Sequence, residues 1–297
     1  MSELVYIAID AGGTYFKSAL VTPEGEIKGS ISSIPSDSSG SAETILGAYR
    51  ETIRIQAAAL YENGYKFGGV CIDTPGPFDL KNGISLMEHK FSAIKGIDLK
   101  AHIRACLEAE GLDSGLPISF THDSTAFLLG EAAPLERAGY RRIAGVMLGT
   151  GLGFAMAIDG RPLLAPTGGP AVSIWARPFK GKIAEDFISG RGVQALYGDN
   201  TKSALDIERL AKAGDEKAAE AYAEMGSLLG ELLAPILTEY KIEAFVAGGQ
   251  ISRGFSLFGE TLKTALAGVP TLKYIGAAEN VDTCHLLGAA LAAARGV

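Results

Sequence analysis

The chain has 297 residues, 47% hydrophobic and 21% charged, and 27 Lys and Arg against 34 Asp and Glu give a net charge of −7. That mixture suits a soluble globular protein large enough for two domains and argues against the basic surface that nucleic-acid binding requires. Cys71, Cys106 and Cys284 lie far apart with no Cys-x-x-Cys pair, and neither a signal-peptide pattern nor an apolar run of about 20 residues is present. Disulfides, a zinc knuckle and a membrane span are therefore not expected, and a cytoplasmic location is.

In chain order, "LVYIAID" (residues 4–10) reads as a strand, and "KSALVTPEGEIKGSISSI" as two more strands around a Pro-Glu-Gly turn. A helix is expected from Ser41 to Asn63, because Ile45, Tyr49 and Ile53 recur at i+4, Ser41 can cap it and Gly64 can end it. The apolar strand "GGVCID", a Thr-Pro-Gly-Pro loop, a helix over 98–110 and the strand "ISFTHD" lead to a helix starting near Ser124. From residue 143, "IAGVMLGTGLGFAMAIDGRPLL" repeats the opening pattern of strand, Gly/Thr turn, strand and acid-Gly turn, which indicates an internal structural repeat. Beyond residue 200 the chain is mostly helical, interrupted by the strand and Gly-Gly turn of "EAFVAGGQISRG" and closed by the Ala/Leu helix "HLLGAALAAARGV". Strands alternating with helices indicate an α/β protein.

Three glycine turns and one acid carry the candidate chemistry. "DAGGTYFK" matches neither the Walker A string nor the dinucleotide fingerprint, since Gly12 and Gly13 join two strands. Without Cβ atoms, their N–H groups can approach phosphate oxygens closely, Thr14 can donate a hydroxyl, and Lys17 adds a cation. Asp10, at the strand end, can hold Mg2+ through water. A plain β-hairpin turn fits this loop equally well. "MLGTGLGF" places Gly149, Thr150, Gly151 and Gly153 in the same setting, and "AGGQIS" places Gly248, Gly249 and Gln250 between a buried strand and a helix start. Asp123, where a strand ends and a helix begins, serves either as a helix cap or as the base that phosphoryl transfer needs for its acceptor hydroxyl.

These pieces, in this order and over nearly the whole chain, resemble the ROK family (repressor, open reading frame, kinase) of the actin and hexokinase superfamily. "IAIDAGGTYFKSALV" is similar to that family's first phosphate motif, "LGTGLGFAMAIDG" to its second and "AGGQIS" to its adenosine motif. "GVCIDTPGPFDL" resembles the Pro-Gly-Pro loop on the sugar side, which includes Gly76. "HDSTAFLLGEA" resembles the segment whose Asp is the base, here Asp123, and "IAEDFISGRGV" resembles the segment that places Glu185 at a sugar hydroxyl.

The resemblance implies an α/β fold of two actin-like (ribonuclease H-like) domains with an interdomain cleft. The first would cover 1–119 with the C-terminal helix 285–297, and the second 120–284. It implies an ATP- and Mg2+-dependent sugar kinase acting on a hexose hydroxyl, the 6-OH of glucose or N-acetylmannosamine for example, and a homodimer. The alternative is a non-catalytic sugar- and nucleotide-binding relative. One departure concerns "TGGPAVSIWARPFKGKIAED", which holds no Cys or His and no Glu before Glu185, so the family's zinc site and two of its sugar contacts are not expected. Another is that the family's sugar-side Asn falls near Lys90, beside His89, and the residue before the base is His122. Those three with Glu185 would make a non-standard sugar pocket. A start on the first phosphate strand disfavours a DNA-binding regulator.

Overall fold

The computed structural model describes residues 2–297. Five strands open the architecture: β1 (Leu4–Ala11), β2 (Tyr15–Val21), β3 (Ile27–Pro35), β4 (Lys66–Thr74) and β5 (Ile118–His122). They form one sheet in the order β3-β2-β1-β4-β5, the first three antiparallel and β1, β4 and β5 parallel. A second set, β6 (Arg142–Leu148), β7 (Leu152–Ile158), β8 (Arg161–Pro162), β9 (Ala244–Gly248) and β10 (Tyr274–Ala277), forms another sheet in the order β8-β7-β6-β9-β10. Taken in chain order, each sheet runs third, second, first, fourth, fifth. The internal repeat read from the two glycine hairpins is thus a repeat of whole-sheet topology.

The first sheet is covered on both faces, and strand alternation decides which residue faces which layer. Ile7 and Ile9 of β1 and Val70 and Ile72 of β4 pack with α1 (Ala42–Asn63) and α2 (Leu99–Ala109). Ala8 and Cys71 point the other way, against Leu286, Ala289 and Ala290 of α8 (Cys284–Arg295). Asp10 and Asp73 follow Ala8 and Cys71 by two residues, so they share the α8 face. The α1 ends are as expected: Ser41 Oγ accepts from the Thr44 N–H, and Gly64 takes the left-handed conformation. Inside that layer Phe16 and Tyr49 meet with ring centroids 4.5 Å apart. The buried Gln56 donates to Ser18 Oγ at 3.0 Å, so its burial is matched by a partner.

The second sheet packs Val146, Leu148, Phe154, Met156, Phe245 and Ala247 against helices α4 (Gly190–Tyr197), α5 (Ala204–Lys212), α6 (Glu216–Glu239) and α7 (Phe255–Leu266). The apolar face of α6 includes Tyr222, Met225, Leu229, Leu233 and Leu237, a spacing of three and four residues that keeps them on one side of the helix. Ser203 caps α5 in a reciprocal box with Asp206.

The chain divides into two compact units, Met1–Gly130 with Leu164–Gly169 and Asp282–Val297, and Glu131–Leu163 with Pro170–Val281. The sequence placed the boundary after residue 119. The division falls later because β5 pairs with β4, and α3 (Asp123–Arg137) begins in the first unit before ending in the second. Among the described residues no helix is long and apolar enough to cross a membrane.

Candidate functional site

Three carboxylates stand at the C-terminal ends of three neighbouring parallel strands, the edge where open α/β sheets bind their ligands. Asp10 and Asp73 are register partners near the ends of β1 and β4. Asp123 follows β5 and is the first residue of α3. His285, in the first turn of α8, faces them, and its Nδ1 lies 2.6 Å from Asp73 Oδ2. All four belong to the first unit.

The helices that carry Asp123 and His285 meet without side chains between their backbones. A Cβ on Gly288 of α8 would overlap the Ala126 carbonyl of α3, and one on Gly130 of α3 would overlap the Cys284 backbone. This close approach fixes Asp123 relative to His285.

Asp123 takes its place at the start of α3. Its Oδ1 accepts from the Ser124 N–H at 2.6 Å, as at a helix start, and lies 2.8 Å from His122 Nδ1. These contacts engage one oxygen of a side chain that keeps 33% of its surface exposed, so the other can meet a substrate. Burial pushes the Asp123 carboxyl up, but His122, His285 and the Ser124 N–H outweigh it and hold the group below the usual carboxylate range. His122 is held above the usual imidazole range: burial pulls it down, and Asp123 and Asp73 overcome that. Burial also raises Asp10, with His285 and Lys17 acting against it. Asp73 is pushed up to about 7 by burial, against the pull of His285. His285 rises to about 9, because Asp73, Asp10 and Asp123 together outweigh its own burial.

Around the first glycine turn, Lys17 sits opposite Asp10 across the β1–β2 hairpin, and its Nζ reaches the Asp282 carbonyl at 3.3 Å. The Lys90 side chain lies over Gly13, within 3.1–3.4 Å of where a Cβ would stand. Two links hold the Lys90 loop there: Ser38 Oγ donates to the Gly13 carbonyl, and the Phe91 N–H donates to the Ser38 carbonyl at 2.8 Å. A cavity of about 580 Å³ opens beside this turn, lined by Gly13, Thr14, Tyr15, Asp37, Ser38 and Thr44 among others. Thr14 is exposed, His89 is exposed, and the ring Nε2 of His122 faces Gly76.

In the second unit, Gly149, Thr150 and Gly151 make the β6–β7 turn and Gly153 lies in β7, with Thr150 exposed as Thr14 is. Glu185 is committed to this hairpin. Its Oε2 accepts from the Leu152 N–H at 3.0 Å, and its Oε1 pairs with Arg191 at 2.8 Å. Glu185, expected from the sequence to meet a sugar hydroxyl, braces the glycine turn through these two contacts. Glu185→Ala strands the Leu152 N–H, and a loss of about 1–3 kcal/mol in denaturant unfolding is expected. Glu185→Gln, which keeps an acceptor, should lose much less; equal stability of Glu185→Ala and the parent would remove the brace. At the third turn Gly248 ends β9 and Gly249 has φ 84°, and any side chain there would strike the Leu148 backbone at 2.5–2.9 Å. Gln250 next to it is exposed.

The sequence reading missed Asp73 and His285. One signal was available: "ID" closes both β1 and β4, so Asp73 repeats the placement of Asp10. His285 is a lone titratable group on an otherwise apolar first turn, which by itself points to nothing.

Two sheets of identical topology, each opened by a glycine hairpin between antiparallel strands, define a protein of two actin-like domains. The sequence model of the ROK family matches residues 6–171 and 177–295, and the chain belongs to that family. It is 28% identical over 249 residues to the N-acetyl-D-glucosamine kinase of Photobacterium profundum, covering 75% of this chain and 79% of that protein. A ROK family glucokinase from Streptomyces griseus, crystallised with glucose and AMPPNP, superposes with a TM-score of 0.70 at 21% identity over 96% of this chain and 98% of that one. A ROK family transcriptional regulator superposes with a TM-score of 0.79 at 19% identity, over 97% of this chain and 77% of the regulator. These structural likenesses establish the fold.

Proposed function

We propose that this chain transfers the γ-phosphoryl group of ATP to a hydroxyl of a hexose or N-acetylhexosamine. The observation that carries the reading is Asp123: an ionised carboxylate at the strand edge, oriented by Ser124 and His122 through one oxygen, with surface left for an acceptor. Family membership and the kinase names of its relatives support the same reaction class.

In this reading Asp123 accepts the proton of the acceptor hydroxyl as the hydroxyl oxygen forms its bond to the γ-phosphorus. The bond from that phosphorus to the β,γ-bridging oxygen breaks, and ADP leaves. The glycine turns at 12–13 and 149–151 offer backbone N–H groups to the phosphates, with Thr14 and Thr150 as hydroxyl donors, and the turn at 248–250 takes the adenosine side. Asp10 fits a magnesium ion held through water, being a strand-end carboxylate beside Asp73. When bound, that ion supplies neutralisation of phosphate charge. Lys90, resting on Gly13, places a second cation beside the first phosphate turn. Lys90→Met should lower kcat/KM by about 10–100-fold, the worth of one charge-assisted contact, with folding unchanged because the side chain is exposed. An unchanged kcat/KM would confine Lys90 to surface packing.

The reaction is tested by coupled ADP release across glucose, N-acetylglucosamine, N-acetylmannosamine and mannose. Saturable turnover with at least one sugar is expected. Nucleotide binding without turnover on any sugar would instead support a non-catalytic sensor. Rapid ATP hydrolysis without sugar would point to a different acceptor.

A further inference from the structure

The cluster beneath Asp123 contains more ligand capacity than phosphoryl transfer from a water-held magnesium requires. One oxygen each of Asp10 and Asp73 and one ring nitrogen of His285 lie within 4.8 Å of one another. Asp73 is 2% exposed, and among the described residues its Oδ1 has no hydrogen-bond partner, although Oδ2 is met by His285. A buried carboxylate oxygen left unsatisfied costs on the order of 1–3 kcal/mol or more, and nothing in the surrounding protein recovers it. Asp123 adds a third carboxylate within electrostatic reach of Asp10 and Asp73. Strand alternation and register aim Asp10 and Asp73 at the same face, and the close α3–α8 packing holds His285 over them.

We propose that Asp10, Asp73 and His285 bind a divalent transition cation of the Mn2+ class directly, in the absence of nucleotide. The donor set decides the class. Magnesium strongly prefers oxygen ligands and keeps most of its waters; the two carboxylates suit manganese as well, and the imidazole nitrogen suits its heavier first-row neighbours. The orphaned Asp73 Oδ1 gains a partner, and two charges on the cation offset the mutual repulsion of the acids. The site does not depend on the phosphotransfer reading, and its test uses neither nucleotide nor sugar.

The test is titration of the nucleotide-free chain with MnCl2, following free Mn2+ by electron paramagnetic resonance. Saturable depletion of the free signal at one ion per chain is expected, with His285→Gln and Asp73→Asn each weakening binding by about 10-fold or more. Pulsed measurements on the unmodified protein should show modulation from one directly bound imidazole nitrogen, a readout that survives if either variant fails to fold. Absence of Mn2+ binding without nucleotide would overturn the site and leave Asp73–His285 as an internal ion pair only. Binding that shows no nitrogen coupling, or that His285→Gln leaves unchanged, would overturn the assignment of His285.

Discussion

Asp123→Asn is expected to lower kcat by roughly 10²–10⁴-fold, the usual contribution of a positioned general base, while the affinities for sugar and nucleotide stay within a few-fold of the parent. The asparagine keeps the size of the side chain and can still present its amide oxygen to the Ser124 N–H at the start of α3, so the local structure survives. What it would lose, on the proposed reading, is the charged, basic oxygen that accepts the acceptor proton. The measurement is steady-state kinetics with the sugar found active in the panel, together with calorimetric titration of sugar and of a non-hydrolysable ATP analogue. A kcat near that of the parent would move the base elsewhere. Equal losses of kcat and sugar affinity would make Asp123 a binding residue.

Gly288→Val is expected to cost stability more than any surface change. Its Cβ would be driven into the Ala126 carbonyl of α3, and because both partners are backbone, only a shift of a whole helix relieves the overlap. Overpacking of this kind costs about 1–3 kcal/mol and more when the obstacle is rigid, so a loss at the upper end, about 3 kcal/mol, is expected in denaturant unfolding. The same shift carries His285 at the start of α8 away from Asp73, and Asp123 at the start of α3 away from its present place. Turnover should therefore fall even where the variant remains folded. Gly96→Ala is the control: a glycine with open space around it should show only the modest cost of its positive φ. If Gly288→Val unfolded at the parent's denaturant midpoint, the α3–α8 contact would not be what orders the site.

These two residues mark the difference between local and non-local information in this chain. Asp123 was legible because a strand, an acid and a helix start are consecutive in the sequence, and such signals report on backbone geometry a few residues away. The glycine hairpins were legible for the same reason. Their recurrence in "DAGGTYFK" and "LGTGLGF" disclosed the repeat that the two sheets share. The caps at Ser41 and Ser203 and the left-handed Gly64 follow from side-chain and backbone chemistry within one turn. Glu185 was placed by its segment, but its partners could not be foreseen, since the Leu152 N–H is 33 residues away.

By itself the sequence determined the α/β class, the duplicated strand-turn-strand pattern, the helix ends and the acid at the head of α3. Only the tertiary structure decided that Asp10 and Asp73 share a face, that Glu185 turns to a glycine hairpin, and that His285 meets Asp73 across 212 residues of chain. Periodicity and capping are local energies, each decided within a few residues. The carboxylate and imidazole cluster depends on parallel register between β1 and β4 and on how closely α8 packs against α3. Both are set by contacts between segments far apart in the chain, whose pairing no local signal encodes.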